Sequence, residues 1–251
     1  MRSTMEFDES DRPIIGLEDE YEAGFVDKMH SHGRDQLLYA TSGVMSVTTA
    51  MANFVIPPQR AIWIPAHVGH EVACRGPVSL RTLYFSQDQP SPAKCRVVEV
   101  TNLLRALIVE VAKLGGFYDC SGRNKCLVDM LTYELGSMPD APFHVPMPQD
   151  HRVRRVCQMI LDDPAGHHDL DDLASLAGMA RRTFTRTIRA ELGMSLAIWR
   201  QQVRLMRALT LLSEGQPITS VAYDVGYDSP SAFSAMFQRA FGLPPRQYQM
   251  L

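Results

Sequence analysis

The chain has 251 residues, 45% hydrophobic and 21% charged, with a formal net charge of −3. That length leaves room for two domains, each able to bury a core, and the composition is ordinary for a globular protein. No apolar run reaches the length of a membrane span, no signal-peptide core opens the chain, and the five cysteines (Cys74, Cys95, Cys120, Cys126, Cys157) are scattered without a CxxC pair; the pattern favours reduced thiols over a disulfide framework, and a cytoplasmic protein without a membrane span is expected.

Met1 to Glu22 is polar and acidic and reads as a loose arm. From Glu22 to Ser86 the sequence reads as strands. Gln36–Ala40, Val44–Thr49, Ala61–Ile64 and Leu80–Phe85 are short, rich in β-branched and aromatic residues, and punctuated by Gly, Pro or Asn. Regular spacing of that kind predicts an all-β barrel or sandwich. Two helices follow. Val98–Leu114 places Leu103, Leu104, Leu107, Ile108 and Val111 on one face, and Asn124–Leu135 does the same with Leu127, Met130 and Leu131. Ser137–Asp150 holds four prolines (Pro139, Pro142, Pro146, Pro148), which no helix interior tolerates, and is the expected linker. Everything after Asp150 reads as helical. The expected division is therefore 1–138, a linker at 139–150, and 151–251.

The last part contains one pattern written twice. Leu170, Leu173, Ala174, Ala177 and Gly178 recur 48 residues later as Ile218, Val221, Ala222, Val225 and Gly226. Phe184, Ile188, Leu192 and Gly193 recur 49 residues later as Phe233, Phe237, Phe241 and Gly242, so one extra residue sits inside the second copy. Each copy reads as a short helix, a glycine-opened turn and a longer helix, the helix-turn-helix pattern that enters a DNA major groove. Asp169 is a suitable N-cap, with Asp171 and Asp172 at the positive end of the first helix. Leu173, Leu176 and Ala177 form its expected buried face. In the next helix Phe184, Ile188 and Leu192 face the core, and Arg181, Arg182, Thr185, Arg186 and Arg189 face outward with long donors suited to base edges and phosphates. A solvated charged face is the bland alternative, and the duplicated context decides against it. The second copy offers Ser229, Ser231, Ala232 and Ser234, with Ala235 beside them. These short side chains suit phosphate, shape or methyl contacts, leaving most base discrimination to the first copy. Charge follows the same division: residues 151–251 hold 12 Arg, no Lys and 9 acidic residues, a balance of +3 against −6 for residues 1–150. Ser195–Ser213 reads as one helix of roughly 28 Å, approaching the ~34 Å between successive major-groove faces.

The stretch from about Arg155 to Tyr248 resembles the AraC/XylS family of bacterial transcription regulators. The matching residues are Leu173-Ala174, Gly178, Arg186, Gly193, the helix from Arg204 to Leu212, Ile218, Val221-Ala222, Val225-Gly226-Tyr227, Phe233, Phe237, Gly242, Pro245 and Tyr248. The resemblance implies control of transcription through asymmetric half-sites on double-stranded DNA, with RNA polymerase as a further partner. The second reading helix is poorer in long polar residues than many members.

Gly24, His30, His32, Gln36 and Gly43 follow the first cupin motif, with Gln36 in the glutamate position, and Pro65 and His70 follow the second, where Gln59 and His67 replace glycines and Cys74 an asparagine. The resemblance implies a cupin-like barrel in which His30, His32 and His70 share one inward site, with Gln36 as a weak neutral fourth donor. Three readings suit that set: a divalent ion (Zn, Ni, Fe or Mn), a metal-free effector pocket, or structural histidines. Tyr39 and Trp63 are expected to line the cavity, against the alternative that they belong to the core. A cupin joined to this DNA-binding half resembles the members of the family whose barrel senses a small molecule and whose adjacent helices dimerise. The expected architecture is thus α+β in two domains: a cupin-like barrel with flanking helices, then an all-α domain of two helix-turn-helix units joined by a long helix. The expected function is an effector-responsive transcription regulator without catalytic residues, acting as a homodimer. The competing class is a metal-dependent cupin enzyme fused to a DNA-binding domain; Gln36 in place of the usual carboxylate argues against it.

Overall fold

The polar start of the chain hides an apolar run. Ile14, Ile15 and Leu17 are buried, and β1 (Ile14–Tyr21) pairs antiparallel along its whole length with β8 (Val78–Phe85). The loose arm expected for residues 1–22 is therefore corrected at 14–21: charged Glu18 and Glu20 alternate outward on an otherwise inward-facing strand, and mean polarity concealed the alternation. The computed structural model describes residues 11–58, 60–74, 76–89, 91–138 and 144–249. The other strands are β2 (Val26–His30), β3 (Asp35–Ser42), β4 (Met45–Thr49), β5 (Ala52–Ile56), β6 (Arg60–Ile64), β7 (His70–Cys74), β9 (Arg96–Glu99) and β10 (His144–Pro146).

Two units are distinguished by their contacts, Met1–Thr49 with Ile56–Phe143 and Ala50–Val55 with His144–Leu251. In the first, one sheet runs β1-β8-β3-β6-β9, and β4, β7 and β2 form a second antiparallel sheet. Residues 35–40 of β3 are buried on both faces, because the inner side meets the second sheet and the outer side is covered by α1 (Asn102–Ala112) and α2 (Gly122–Ser137). Leu37, Tyr39, Trp63, Leu83 and Phe85 pack there with Leu104, Ile108, Val111, Leu131 and Leu135; each such side chain contributes about 1.5–3 kcal/mol on burial. Gly16 marks the closest approach of β1 to α1, since a Cβ there would lie 2.4 Å from Ala112 O. Tyr118 Oη donates to Ile14 O at 2.8 Å and ties the same strand to the segment after α1.

The first helix starts later than its periodicity predicts. Val97 and Val98 extend β9 against β6, and Thr101 Oγ1 accepts from Leu104 N at 3.1 Å to open α1. Leu103 and Met130, both assigned to buried faces, are 51% and 47% exposed. The apolar stripes are turned toward Ala112 in α1 and toward Val128 in α2, which lie against the sheet.

In the second unit, residues 144–146, expected in the linker, form β10 and pair with β5. Pro146 lacks a donor, but its carbonyl accepts from Trp199 Nε1 at 2.8 Å. The helices are α3 (His151–Asp162), α4 (Leu170–Leu176), α5 (Arg181–Leu192), α6 (Leu196–Ser213), α7 (Ile218–Asp224), α8 (Pro230–Phe241) and α9 (Pro245–Tyr248). Asp169 caps α4 by accepting from Asp171 N and Asp172 N. The extra residue of the second copy falls in its turn: 177–180 separate α4 from α5, and 225–229 separate α7 from α8. Leu176, expected in the buried face, is 37% exposed, whereas Leu173, Ala174 and Ala177 are buried. The helix α6 spans 18 residues, or about 27 Å.

Candidate functional site

The reading face of the first helix-turn-helix is built on α5. Phe184, Ile188 and Leu192 are its buried side, while Arg181, Arg182, Arg186 and Arg189 are exposed and Thr185 is half-buried. Arg182, Arg186 and Arg189 lie at i, i+4 and i+7, one stripe of the helix, and their guanidinium groups form no ion pair or hydrogen bond among the described residues. Arg181 differs: its Nη1 is 2.9 Å from Asp171 Oδ2. The Thr185 hydroxyl is 3.0 Å from Arg181 O and so is turned back onto its own helix. In the second unit, Ser229 Oγ caps α8 by accepting from Ala232 N at 3.2 Å. Ser231 and Ala232 are exposed and Ser234 half-buried on the corresponding face.

In the first unit, His30, His32 and His70 come together. One ring nitrogen of each lies within 4.8 Å of the other two, and His30 Nε2 is 3.1 Å from His32 Nε2. Their backbone supports are specific. His30 and His70 are register partners on β2 and β7. His32 lies beyond the end of β2, and its carbonyl accepts from His67 N at 2.8 Å. His67 holds φ at 64°, a left-handed conformation at the position where the cupin motif has glycine. Two carbonyls set the tautomers: His30 Nδ1 is 2.6 Å from Lys28 O and His70 Nδ1 is 2.9 Å from Val68 O. Each Nδ1 is thereby the donor and each Nε2 presents a lone pair inward, the arrangement that orients metal-ligating imidazoles. His70 is 1% exposed, and burial pushes its imidazole below the usual range, which keeps that lone pair available.

Gln36 is also inward and buried, with Nε2 donating to Tyr84 Oη at 3.1 Å. The Tyr84 ring meets the edge of His32 at a centroid distance of 5.1 Å, and burial raises its hydroxyl pKa. Tyr39 and Trp63, expected in the cavity, are not there. Tyr39 is three residues from Gln36, and Trp63 pairs with Leu37, so strand alternation sends both to the outer face. They pack against α1 and α2, where Tyr39 Oη accepts from Arg105 Nη1 at 2.6 Å.

Residues 13–119 match the AraC-like ligand binding domain, and residues 173–250 match a helix-turn-helix domain. The HTH-type transcriptional regulator NimR of Escherichia coli (strain K12) is 30% identical over 221 residues, which are 88% of this chain and 81% of NimR. The chain belongs to the AraC family. The arabinose operon regulatory protein of Salmonella typhimurium is 31% identical over 125 residues, 49% of this chain and 44% of that protein. The solved C-terminal domain of AraT from Geobacillus stearothermophilus is 32% identical, covering 40% of this chain and 84% of that one with a TM-score of 0.37. This AraC-family protein is a DNA-binding transcriptional regulator with an N-terminal ligand-binding domain. Among the described residues no helix is long and apolar enough to cross a membrane.

Sequence reasoning left one positioning residue of the AraC-type half unassigned. Arg204 on α6 donates from Nε to Pro164 O at 3.0 Å and from Nη1 to Gly226 O at 2.9 Å. It thus joins the loop before α4 to the turn of the second helix-turn-helix. Gly226 makes room for it: φ is +80° and an added Cβ would lie 2.9 Å from Arg204 Nη2. Arg204→Met should therefore destabilise the protein by about 2 kcal/mol, since hydrogen bonds from a charged donor are worth about 1.5–3 kcal/mol each and some water replaces them here. Arg204→Lys should recover little, because a point charge cannot serve two carbonyls in fork geometry. Thermal denaturation of the full chain measures both. Unchanged melting for Arg204→Met would remove the clamp.

Proposed function

We propose that this protein is an effector-responsive regulator that reads DNA mainly through Arg182 and Arg186 of α5 and senses through a divalent metal centre on His30, His32 and His70. Arg189, Thr185 and Arg181 flank the reading stripe, and Ser229, Ser231, Ala232 and Ser234 supply phosphate and shape contacts from the second unit. The observation that carries the sensing half is the convergence of three imidazole nitrogens within 4.8 Å, with two of the rings fixed by carbonyls behind them. The donor set fits Zn, Ni, Fe or Mn, and such an ion would offer open coordination positions to an organic effector. In this reading Gln36, whose Nε2 donates to Tyr84 Oη, makes an outer contact rather than acting as a strong ligand. The chain acts as a homodimer in this reading, supported by the exposed apolar Leu103, Phe117, Met130 and Tyr133 on and between α1 and α2. It works in the cytoplasm with RNA polymerase and has no catalytic role, since the carboxylate at the Gln36 position of cupin enzymes is missing.

The test is metal content of the purified full-length protein, followed by selection from random duplexes with and without a chelator. One divalent ion per chain and a chelator-dependent change in DNA affinity are expected. A protein that takes up no divalent ion would return the pocket to a metal-free effector. Duplex binding without sequence enrichment would overturn the reading role of α5.

A further inference from the structure

The three histidines share the inner face with a carboxylate that nothing in the cupin spacing points to. Asp27 Oδ2 lies 3.7 Å from His30 Nε2. An offset of three along a regular strand puts side chains on opposite faces. Here the ladder between β2 and β7 slips by one residue: Asp27 is opposite Val72, yet His30 is opposite His70. That bulge returns Asp27 to the histidine side.

The polar groups around this point do not satisfy one another. The His30 Nδ1 proton is directed to Lys28 O, so neutral His30 turns a lone pair toward Asp27 Oδ2. Among the described residues that buried oxygen has no hydrogen-bond partner, and the same holds for His70 Nε2 and Gln36 Oε1. Both His70 and Gln36 are 1% exposed. A single proton can lie between His30 Nε2 and His32 Nε2, while Asp27 Oδ2 and His70 Nε2 have no hydrogen-bond partner among the described residues, and a positive charge among them would serve both. A proton on His30 Nε2 could serve His32 or Asp27 but would leave His70 Nε2 unpartnered. A divalent ion can take His30 Nε2, His32 Nε2, His70 Nε2 and Asp27 Oδ2 together. Adjacent ligands about 2.1 Å from such an ion stand roughly 3.0–3.4 Å apart. The separations from His30 Nε2 are 3.1 Å to His32 and 3.7 Å to Asp27; Asp27 lies outside the set of three ring nitrogens within 4.8 Å of one another, so its carboxylate must swing toward His32 and His70 to complete the coordination. Charge favours the same assignment. Three imidazoles and an amide leave a buried double positive charge uncompensated, whereas a carboxylate cancels half of it. Resting on the tris-histidine reading above, we propose that Asp27, and not Gln36, is the fourth, anionic ligand of the divalent ion.

The experiment uses full-length protein stripped with chelator and titrated with Zn²⁺ and, for spectroscopy, Co²⁺. Wild type should bind one ion per chain. Asp27→Asn keeps shape and removes charge; its affinity should fall by at least about a hundredfold, at or beyond the upper end of what outer partners of metal ligands cost. Gln36→Ala should change affinity by less than about tenfold, and Asp27→Glu should restore part of the loss. The Co²⁺ visible bands should change in Asp27→Asn and stay as in wild type in Gln36→Ala. Near-UV circular dichroism of the stripped variants checks the fold, and Asp27→Ser serves as the neutral variant if Asn disturbs it. Wild-type affinity in the neutral variant, or an equal loss in Gln36→Ala, overturns the assignment of Asp27 alone. A wild type that binds neither ion overturns the tris-histidine reading and this inference with it.

Discussion

The full-length protein carrying both Arg182→Ala and Arg186→Ala is expected to lose specific DNA binding. A bidentate arginine–base contact is worth about 1–3 kcal/mol of discrimination, so the pair together should weaken binding by roughly 30-fold to 10⁴-fold at a duplex selected by the wild type. The expectation rests on what the two side chains do in the structure. They lie on the stripe opposite Phe184, Ile188 and Leu192, and neither guanidinium has a hydrogen-bond or ion-pair partner among the described residues. Arg181→Ala should cost less, because Asp171 competes for its guanidinium at 2.9 Å. Ser231→Ala should cost less again, since a hydroxyl on a short side chain reaches phosphate or a groove edge but does not discriminate a base pair by a fork of donors. Fluorescence anisotropy at one fixed salt concentration separates these cases. Equal losses for all four positions would sink the division of labour between the two helix-turn-helix units.

The helical half was legible because its signals are local. A stripe at i, i+4, i+8 such as Phe184, Ile188 and Leu192 needs no knowledge of partners, and glycines at 178 and 226 mark turns in which both take positive φ. The sheet half was legible only where strand alternation was followed to its end. Tyr39 belongs to the face opposite Gln36 by parity, and the AraC-type sensor obeys that rule; placing it in the cavity came from its aromatic character. Two features were out of reach. The bulge that brings Asp27 beside His30 is a property of the β2–β7 ladder, and residues 144–146 become a strand only because β5 offers a partner. Both depend on a neighbour distant in sequence, which no window along the chain contains. Leu103 and Met130 show the converse limit: periodicity gives the stripe, but the centre of the stripe is set by the surface it meets.

The double variant His30→Ala, His32→Ala is expected to abolish divalent-ion binding while leaving in place the fold and the DNA affinity of the metal-free protein. Two of three imidazoles are removed, and His70 with Asp27 and Gln36 cannot hold a first-row ion against solvent. The fold should persist because the main core of this unit lies on the other side of the β1-β8-β3-β6-β9 sheet, between Leu37, Trp63 and Phe85 and the helices α1 and α2. The two substituted side chains are only partly buried. His70 is the poorer choice for this test, since at 1% exposure its removal leaves a cavity whose cost would mix with the loss of metal. A ligand that binds only the folded state adds about 2.7 kcal/mol at a concentration 100 times its dissociation constant. Wild-type melting should therefore rise by several degrees on adding Zn²⁺, and the variant's should not move. Without the ion its melting temperature should stay close to that of stripped wild type. The DNA-reading residues sit in the other unit, so the variant should bind the selected duplex as stripped wild type does but no longer respond to added metal. An effector acts only through a difference in affinity for two states, and removing its site removes that difference. A variant that still melts later with Zn²⁺, or still changes its DNA affinity on adding it, would place the sensing metal elsewhere in the chain.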